Sequence, residues 1–446
     1  MESLTLTIGI VASLLVFIAK PVWWLVIYCV VMAWYPNNLT IKLGTIDFTA
    51  CRIIILALYA NLFFRTSLLK GFKFIWLDKL VLIYLAATIV AGATTTRSLS
   101  AFLENRAGGI FDSALPYFTV RVILTTKEQY LTFLKAVLCL AVPLACLGLY
   151  EFVTGHPVAG PLRAYAAWGA VGTNQIGDMR YGFYRAAVTF PQPIMFGLFF
   201  AMLGPACVGL SGIRRYKLLC GVGIVFMAIG AVSSLSTGPL LVALLAGGFI
   251  ASYRWRRYWK PILAIVIVMC GTVEIISNRH FYDVLGDSAL KGSAVWYRSR
   301  LIDVVLFEGG MSGHWLTGYG IGADPGWGPK INSLRTDIVN QYLAVLKNYG
   351  LVGLVPFLAM TIGAIKKLVD AYKATILDSD KWLVWCLSAG MFGVVVGSMS
   401  VCLFGPPVTI YFMMLGLAGV MPRLVWQANR MIPQFNANAL DKNELF

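Results

Sequence analysis

LTFLKAVLCLAVPLACLGLYEFVT, residues 131–154, carries only Lys135 and Glu151 as charged side chains in 24 residues. A helix needs about 20 predominantly apolar residues to cross a hydrocarbon core, so this stretch reads as a membrane span. Similar runs precede it at 4–19, 21–35, 46–64, 80–93 and 108–123, and follow it at 188–210, 218–232, 238–253, 261–276, 337–365, 383–403 and 408–425. The first two are short and either cross singly or form one broken hairpin, which gives about 12 transmembrane helices. Composition agrees: 59% of residues are apolar, 13% are charged and the mean hydropathy is +0.76, well outside the range of soluble domains. Glu2 stands where a signal peptide has its basic residues, and the first cation is Lys20, so no cleaved leader is expected. The expected fold class is all-α, a polytopic integral membrane helical bundle with a long external loop containing short amphipathic helices.

Compact basic loops set the expected orientation. Residues 65–73, Arg214-Arg215-Tyr216-Lys217, 254–260, and Lys366-Lys367 with Lys373 are short and cationic, and positive-inside sorting puts them in the cytoplasm. The chain then divides into a transmembrane bundle 1–277 with an external loop 155–187, an external loop 278–336, C-terminal transmembrane helices 337–427 and a cytoplasmic tail 428–446. Ser233-Ser234-Leu235-Ser236-Thr237 becomes a short external turn. The net charge of +16 is mostly this topology signal plus attraction to membrane lipids, and gives no reason to expect nucleic acid. All nine cysteines fall in predicted spans, so neither a disulfide framework nor a cysteine zinc site is expected.

Positive-inside sorting should deplete external loops of arginine. Yet 155–187 carries Arg163, Arg180 and Arg185, and 278–337 carries Arg279, Arg298, Arg300 and Arg335. The planar, permanently charged guanidinium fork suits phosphate and pyrophosphate. Contact with lipid phosphates or with the loops' own acids is the plainer alternative. Residues 291–307 read as an amphipathic helix stopped by Gly309-Gly310. On it Arg300 has Asp303 at i+3, whereas Arg298 has no acidic residue within helical reach, so Arg298 is the freer cation. Arg185 lies just before Pro191 and Pro193, near the expected headgroup plane, where a lipid-linked phosphate or a snorkelling contact fits equally.

Proton transfer has fewer candidates. Asp337 and Asn340, three apart on a starting helix, share a face; Asp337 is alternatively the helix cap and Asn340 an interhelical hydrogen-bonding residue. His314 and Glu151 are the other candidates, and no His or acid pair has metal-ligand spacing, so neither metal nor cofactor is expected. The Gly318/Gly320/Gly322 run lacks the strand–helix frame of a dinucleotide loop and reads as a turn. Trp296, Trp315, Tyr319 and Trp327 offer either sugar platforms or interfacial contacts.

Four stretches, in this order, resemble the O-antigen ligase / Wzy-type polysaccharide polymerase superfamily of bacterial inner membranes. They are Arg185 with Phe190-Pro191-Gln192-Pro193, the turn Ser234-Leu235-Ser236-Thr237-Gly238-Pro239, Tyr297-Arg298 leading to Leu316-Thr317-Gly318-Tyr319-Gly320, and Asn340 followed by Gly350-Leu351-Val352-Gly353. The resemblance implies a GT-C-like glycosyltransferase that moves a glycan from an undecaprenyl-pyrophosphate carrier to a sugar hydroxyl, without metal. It makes 278–336 a periplasmic catalytic loop and Arg185 and Arg298 the pyrophosphate clamp; Arg180, Arg300 and Arg335, as external arginines, and Asn340 are further candidate substrate contacts. The lipid-linked oligosaccharide, a chain-length regulator and a flippase are the implied partners. Ligases of this superfamily carry His immediately before the Asn/Ser/Gln of the last motif, where this chain has Val339. Either the base role passes to Asp337, His314 or Glu151 or the reaction relies on leaving-group activation, and the expectation moves toward an exopolysaccharide or capsule polymerase. A ligase acting on lipid A core and a polytopic transporter or flippase are the alternatives; transporters concentrate polar groups at broken mid-membrane helices, often in repeated halves.

Overall fold

The computed structural model describes residues 2–44, 46–96, 98–163, 165, 179–258, 261, 264–265, 268–269, 271–272, 275, 293–331 and 336–443. Half of the expected span 261–276, together with Arg279, His280 and Arg335, lies outside the described residues. The chain is mostly helical, and among the described residues eight helices are long and apolar enough to cross a membrane: Trp76–Thr95, Lys127–Thr154, Pro193–Gly212, Arg214–Ser233, Thr237–Tyr258, Gln341–Ala374, Asp378–Gly397 and Pro406–Arg430. Three shorter apolar helices are Glu2–Ile18, Pro21–Trp34 and Ala50–Phe64.

In chain order the main elements are α1 (Glu2–Ile18), α2 (Pro21–Trp34), β1 (Thr40–Leu43), β2 (Ile46–Thr49), α3 (Ala50–Phe64), α4 (Trp76–Thr95), α5 (Leu99–Gly109), α6 (Leu115–Ile123) and α7 (Lys127–Thr154). There follow β3 (Met179–Arg180), β4 (Phe183–Tyr184), α8 (Pro193–Val208), α9 (Lys217–Ser233), α10 (Thr237–Ala251), α11 (Ser293–Leu306), α12 (Gln341–Ala374), α13 (Asp378–Gly397) and α14 (Pro406–Asn443). Local chemistry sets the ends. Thr126 and Gln129 form a capping box at the start of α7, and Gly155 closes its other end in the left-handed region. Helix α8 is apolar all round, and it packs against α7, α9, α10, α13 and α14, with Phe196, Phe199 and Phe200 fully buried.

Three expectations need correction. Residues 46–49 are not helical: they form β2, antiparallel to β1 with Thr40 opposite Thr49, and α3 starts at Ala50 where the Thr49 hydroxyl accepts the Arg52 N–H. The span expected at 108–123 begins earlier, at Leu99, and a π-helical turn at Ile110–Ala114 joins α5 to α6. The span expected at 337–365 starts at Gln341 and is broken at Gly350, whose φ of 61° and ψ of −161° suit only glycine.

That break is filled by the glycine-rich run. The Leu351 and Val352 N–H groups donate to the Trp315 and Leu316 carbonyls (2.7 and 3.1 Å), and Tyr319 N–H donates to the Lys347 carbonyl (2.7 Å). A helix interrupted in an apolar environment must find new partners for its freed backbone groups, and the 315–319 segment supplies them. Any Cβ at Gly350 would collide with the Leu316 carbonyl. Gly350→Ala should therefore cost on the order of 3 kcal/mol and release this loop, read as a lower Tm with new proteolytic cleavage between 315 and 320.

Candidate functional site

The short connection from the end of α9 to the first residue of α10, 233–237, is where the loop arginines meet. Arg180 Nη1 donates to the Leu235 carbonyl (3.2 Å), Arg185 Nη2 to Ser236 Oγ (3.0 Å) and Arg298 Nη2 to Thr237 Oγ1 (3.2 Å). Two come from the 155–187 loop and one from α11, more than a hundred residues on. All three touch consecutive residues of one turn.

Each is positioned by identifiable contacts. Arg180 rides on the β3–β4 ribbon, whose tip is Tyr181-Gly182 with both residues at positive φ (55° and 83°). Phe183 stacks on Phe152 of α7, centroids 4.5 Å apart, which fixes the ribbon to the bundle. Arg185 is buried, and the next residue's N–H donates to the Ser233 carbonyl at 2.9 Å, seating the strand beside the turn. Glu151 locks the segment from below: its carboxylate accepts the N–H groups of Val158, Ala187 and Val188 at 2.7, 2.8 and 2.8 Å. On α11, Leu301, Val304 and Val305 bury one face against Met311, Trp327 and Ile331, and Arg298 is carried on the half-buried remainder.

The electrostatics of the turn are unusual. Thr237 begins α10, and Ser236 gives it no side-chain cap, so the positive end of the helix dipole lies at the residues the arginines contact. Burial, and then the neighbouring Arg180, lower the pKa of Arg298. Cations gathered at a helix N-terminus oppose the dipole; an anion of two or more charges would relieve the dipole and the guanidiniums together.

The remaining candidates separate. Glu151 is buried and both its oxygens accept backbone N–H groups, which makes it the clamp of the loop. His314 is exposed and stacks on Tyr319 at 3.9 Å, away from the three arginine contacts above. Arg300 binds Glu308, not Asp303, and also donates to the Lys330 carbonyl at 3.2 Å. Asn340 is the N-cap of α12, its Oδ1 accepting from Tyr342 and Leu343 N–H (2.9 and 3.2 Å), so Asp337 precedes the helix and shares no helical face with it. Val339 packs, half-buried, against the α11 core. Tyr319 and Trp327 both donate to the Gly310 carbonyl (2.7 and 2.9 Å) and pack within the loop core, whereas Trp296 and Trp315 are exposed.

Asp337 is tied to α11 through Tyr297, a residue to which sequence reasoning assigned no such part. The Tyr297 hydroxyl donates to the Asp337 carbonyl (2.6 Å) and accepts from its N–H (3.0 Å), tying Asp337 to the neighbour of Arg298. Ser236 and Thr237 were likewise legible only as parts of a turn, although Ser/Thr at a helix start is a usable signal. No protein-family model matches the chain, and no curated protein matches it.

Two outcomes follow from this geometry. Glu151→Gln would set an amide N–H against backbone donors, so it should lower stability by about 2 kcal/mol or more, seen as reduced Tm and protein level. Burial holds the Asp337 carboxyl above its ordinary 3.8, so the folded state keeps that proton to higher pH than the unfolded chain. The stability it contributes is complete below the ordinary pKa and is lost as pH rises through the raised one. Asp337 still reaches solvent, which keeps the effect small. In Tm measured between about pH 3 and 7, Asp337→Asn should remove a shallow decline that the native chain shows.

Proposed function

We propose that this protein is a polysaccharide polymerase of the bacterial inner membrane, acting on lipid-linked repeat units at the periplasmic face. The observation that carries the reading is the convergence of Arg180, Arg185 and Arg298 on residues 235–237 at the N-terminus of α10. A pyrophosphate leaving group has the charge and size this arrangement calls for. In the reaction, the acceptor sugar hydroxyl attacks the anomeric carbon of the donor glycan, and the bond from that carbon to the pyrophosphate oxygen breaks. Undecaprenyl pyrophosphate departs with the extra negative charge on the arginine cluster, and the hydroxyl proton passes to the Asp337 carboxylate. A carboxylate raised above its ordinary pKa is the better proton acceptor. In this reading Glu2–Ile18 and Pro21–Trp34 together make one crossing, and with Ala50–Phe64, the 99–123 segment, the expected span 261–276 and the eight long helices they give a bundle of about 12 crossings.

The broken α12 supports the transporter alternative to one extent, because transporters build their sites at such breaks. Here, however, the freed groups at Lys347, Leu351 and Val352 are bonded to residues 315–319 and are not presented to a cargo. That favours transfer at the arginine turn.

At equal protein levels, Arg298→Ala and Arg185→Ala should each cut the rate of polymer formation by on the order of 100-fold. The measurement is polymer yield and length from lipid-linked repeat units added to purified protein. Normal ladders from both variants would end the pyrophosphate-clamp reading; a single transfer in place of a ladder would turn it from polymerase to ligase.

A further inference from the structure

A second polar feature lies inside the bundle, on elements the arginine turn does not use. Tyr84, Thr88, Asn105, Arg106, Asp112, Tyr349 and Phe412 are among the residues lining a cavity of about 170 Å³ between α4, α5, the π-turn and the start of α14. Ionisable groups within membrane-spanning helices carry a cost that function or pairing must offset. Asp112 is paired, to Arg52 at 2.6 Å, yet 37% of its side chain remains exposed, and it lines the cavity. Arg106 is less satisfied. Its Nη1 donates to the Thr88 carbonyl (2.6 Å) and its guanidinium lies over the Tyr349 ring at 5.2 Å, but its buried Nε has no hydrogen-bond partner among the described residues. Gly92 admits the guanidinium against α4, since a Cβ there would stand 3.1 Å from its Cζ.

The lining mixes a donor cation, an acceptor carboxylate, an amide and the aromatic rings of Tyr84, Tyr349 and Phe412. An anion would meet the Asp112 carboxylate, and a hydrocarbon chain would strand the Arg106 Nε–H. A sugar ring satisfies both, because its hydroxyls donate and accept while its C–H face packs on aromatic surface. The volume corresponds to roughly six waters at about 30 Å³ each, room for one ring. Tyr349 ends the first segment of α12, the helix that begins just after Asp337, so the cavity and the proposed base are linked by a single short helix.

We propose that this cavity binds one sugar unit of the acceptor glycan, held by Arg106 and Asp112 and roofed by Tyr349. The proposal rests on the polymerase reading for the word acceptor, but sugar binding itself can be measured without transfer. Protein in nanodiscs is probed with the neutral methyl glycosides of glucose, galactose and mannose by saturation-transfer NMR. At least one of the three should give a signal that falls by about ten-fold or more in Arg106→Gln. The signal should fall equally in Ser113→Leu, which fills the cavity without altering the guanidinium, and persist in Arg298→Ala. The proposal is overturned by absence of signal from all three sugars, by survival of the signal in both cavity variants, or by its displacement with inorganic phosphate. Loss in Arg298→Ala also overturns it, by assigning the sugar to the arginine turn. Failed polymer synthesis with intact sugar binding would instead count against the polymerase reading alone.

Discussion

One buried carboxylate holds the arginine site in register. Glu151 sits at the end of α7 and takes three backbone N–H groups from the chain that leaves the helix and returns beside it. Without it, the amides of Ala187 and Val188 would be buried unpaired, and Val188, at a φ of 50°, would relax. The next link follows directly: Ala186 bonds to Ser233, Arg185 reaches Ser236, and the 233–237 turn is fixed against the returning chain. A single charge-assisted network thus converts an apolar helix end into a platform for cations.

The second constraint is the interruption of α12. A continuous helix there would leave no seat for residues 315–319, and the loop that carries α11 would lose its attachment to the bundle. The break exchanges intrahelical bonds for loop-to-helix bonds of similar length, and buried Lys347 adds a contact to the Gly320 carbonyl at 3.0 Å. Arg298 and Asp337 are therefore set by the same docking event, through α11 and Tyr297 respectively. Elsewhere, a bidentate pair between Arg121 and Asp78 (2.9 and 3.0 Å), joined by the Tyr117 hydroxyl and the Gly419 carbonyl, ties α4, α6 and α14 together. Its satisfied geometry contrasts with Arg106, and the contrast is what marks the cavity.

Hydrophobic run length, basic loops and cap residues are local properties, and they were sufficient to read the helical membrane character and most helix positions, α7 among them. Arg185 and Arg298 were legible because arginines in loops expected to lack them are visible without coordinates. Tyr297 was not legible, since its role depends on a backbone forty residues away. The expectation that Asp337 and Asn340 share a helical face failed for a local reason: an Asn side chain that accepts two amide protons starts the helix at its own position.

What the sequence determined by itself is thus the class of element and the chemical character of its loops, both set by interactions within a few residues. Only the tertiary structure decided that Arg180, Arg185 and Arg298 meet on residues 235–237, that Glu151 clamps a loop, and that Gly350 is a seat for another segment. Those outcomes depend on contacts between residues far apart in the chain. Their strength comes from burial and from hydrogen-bond geometry, which a linear pattern does not encode.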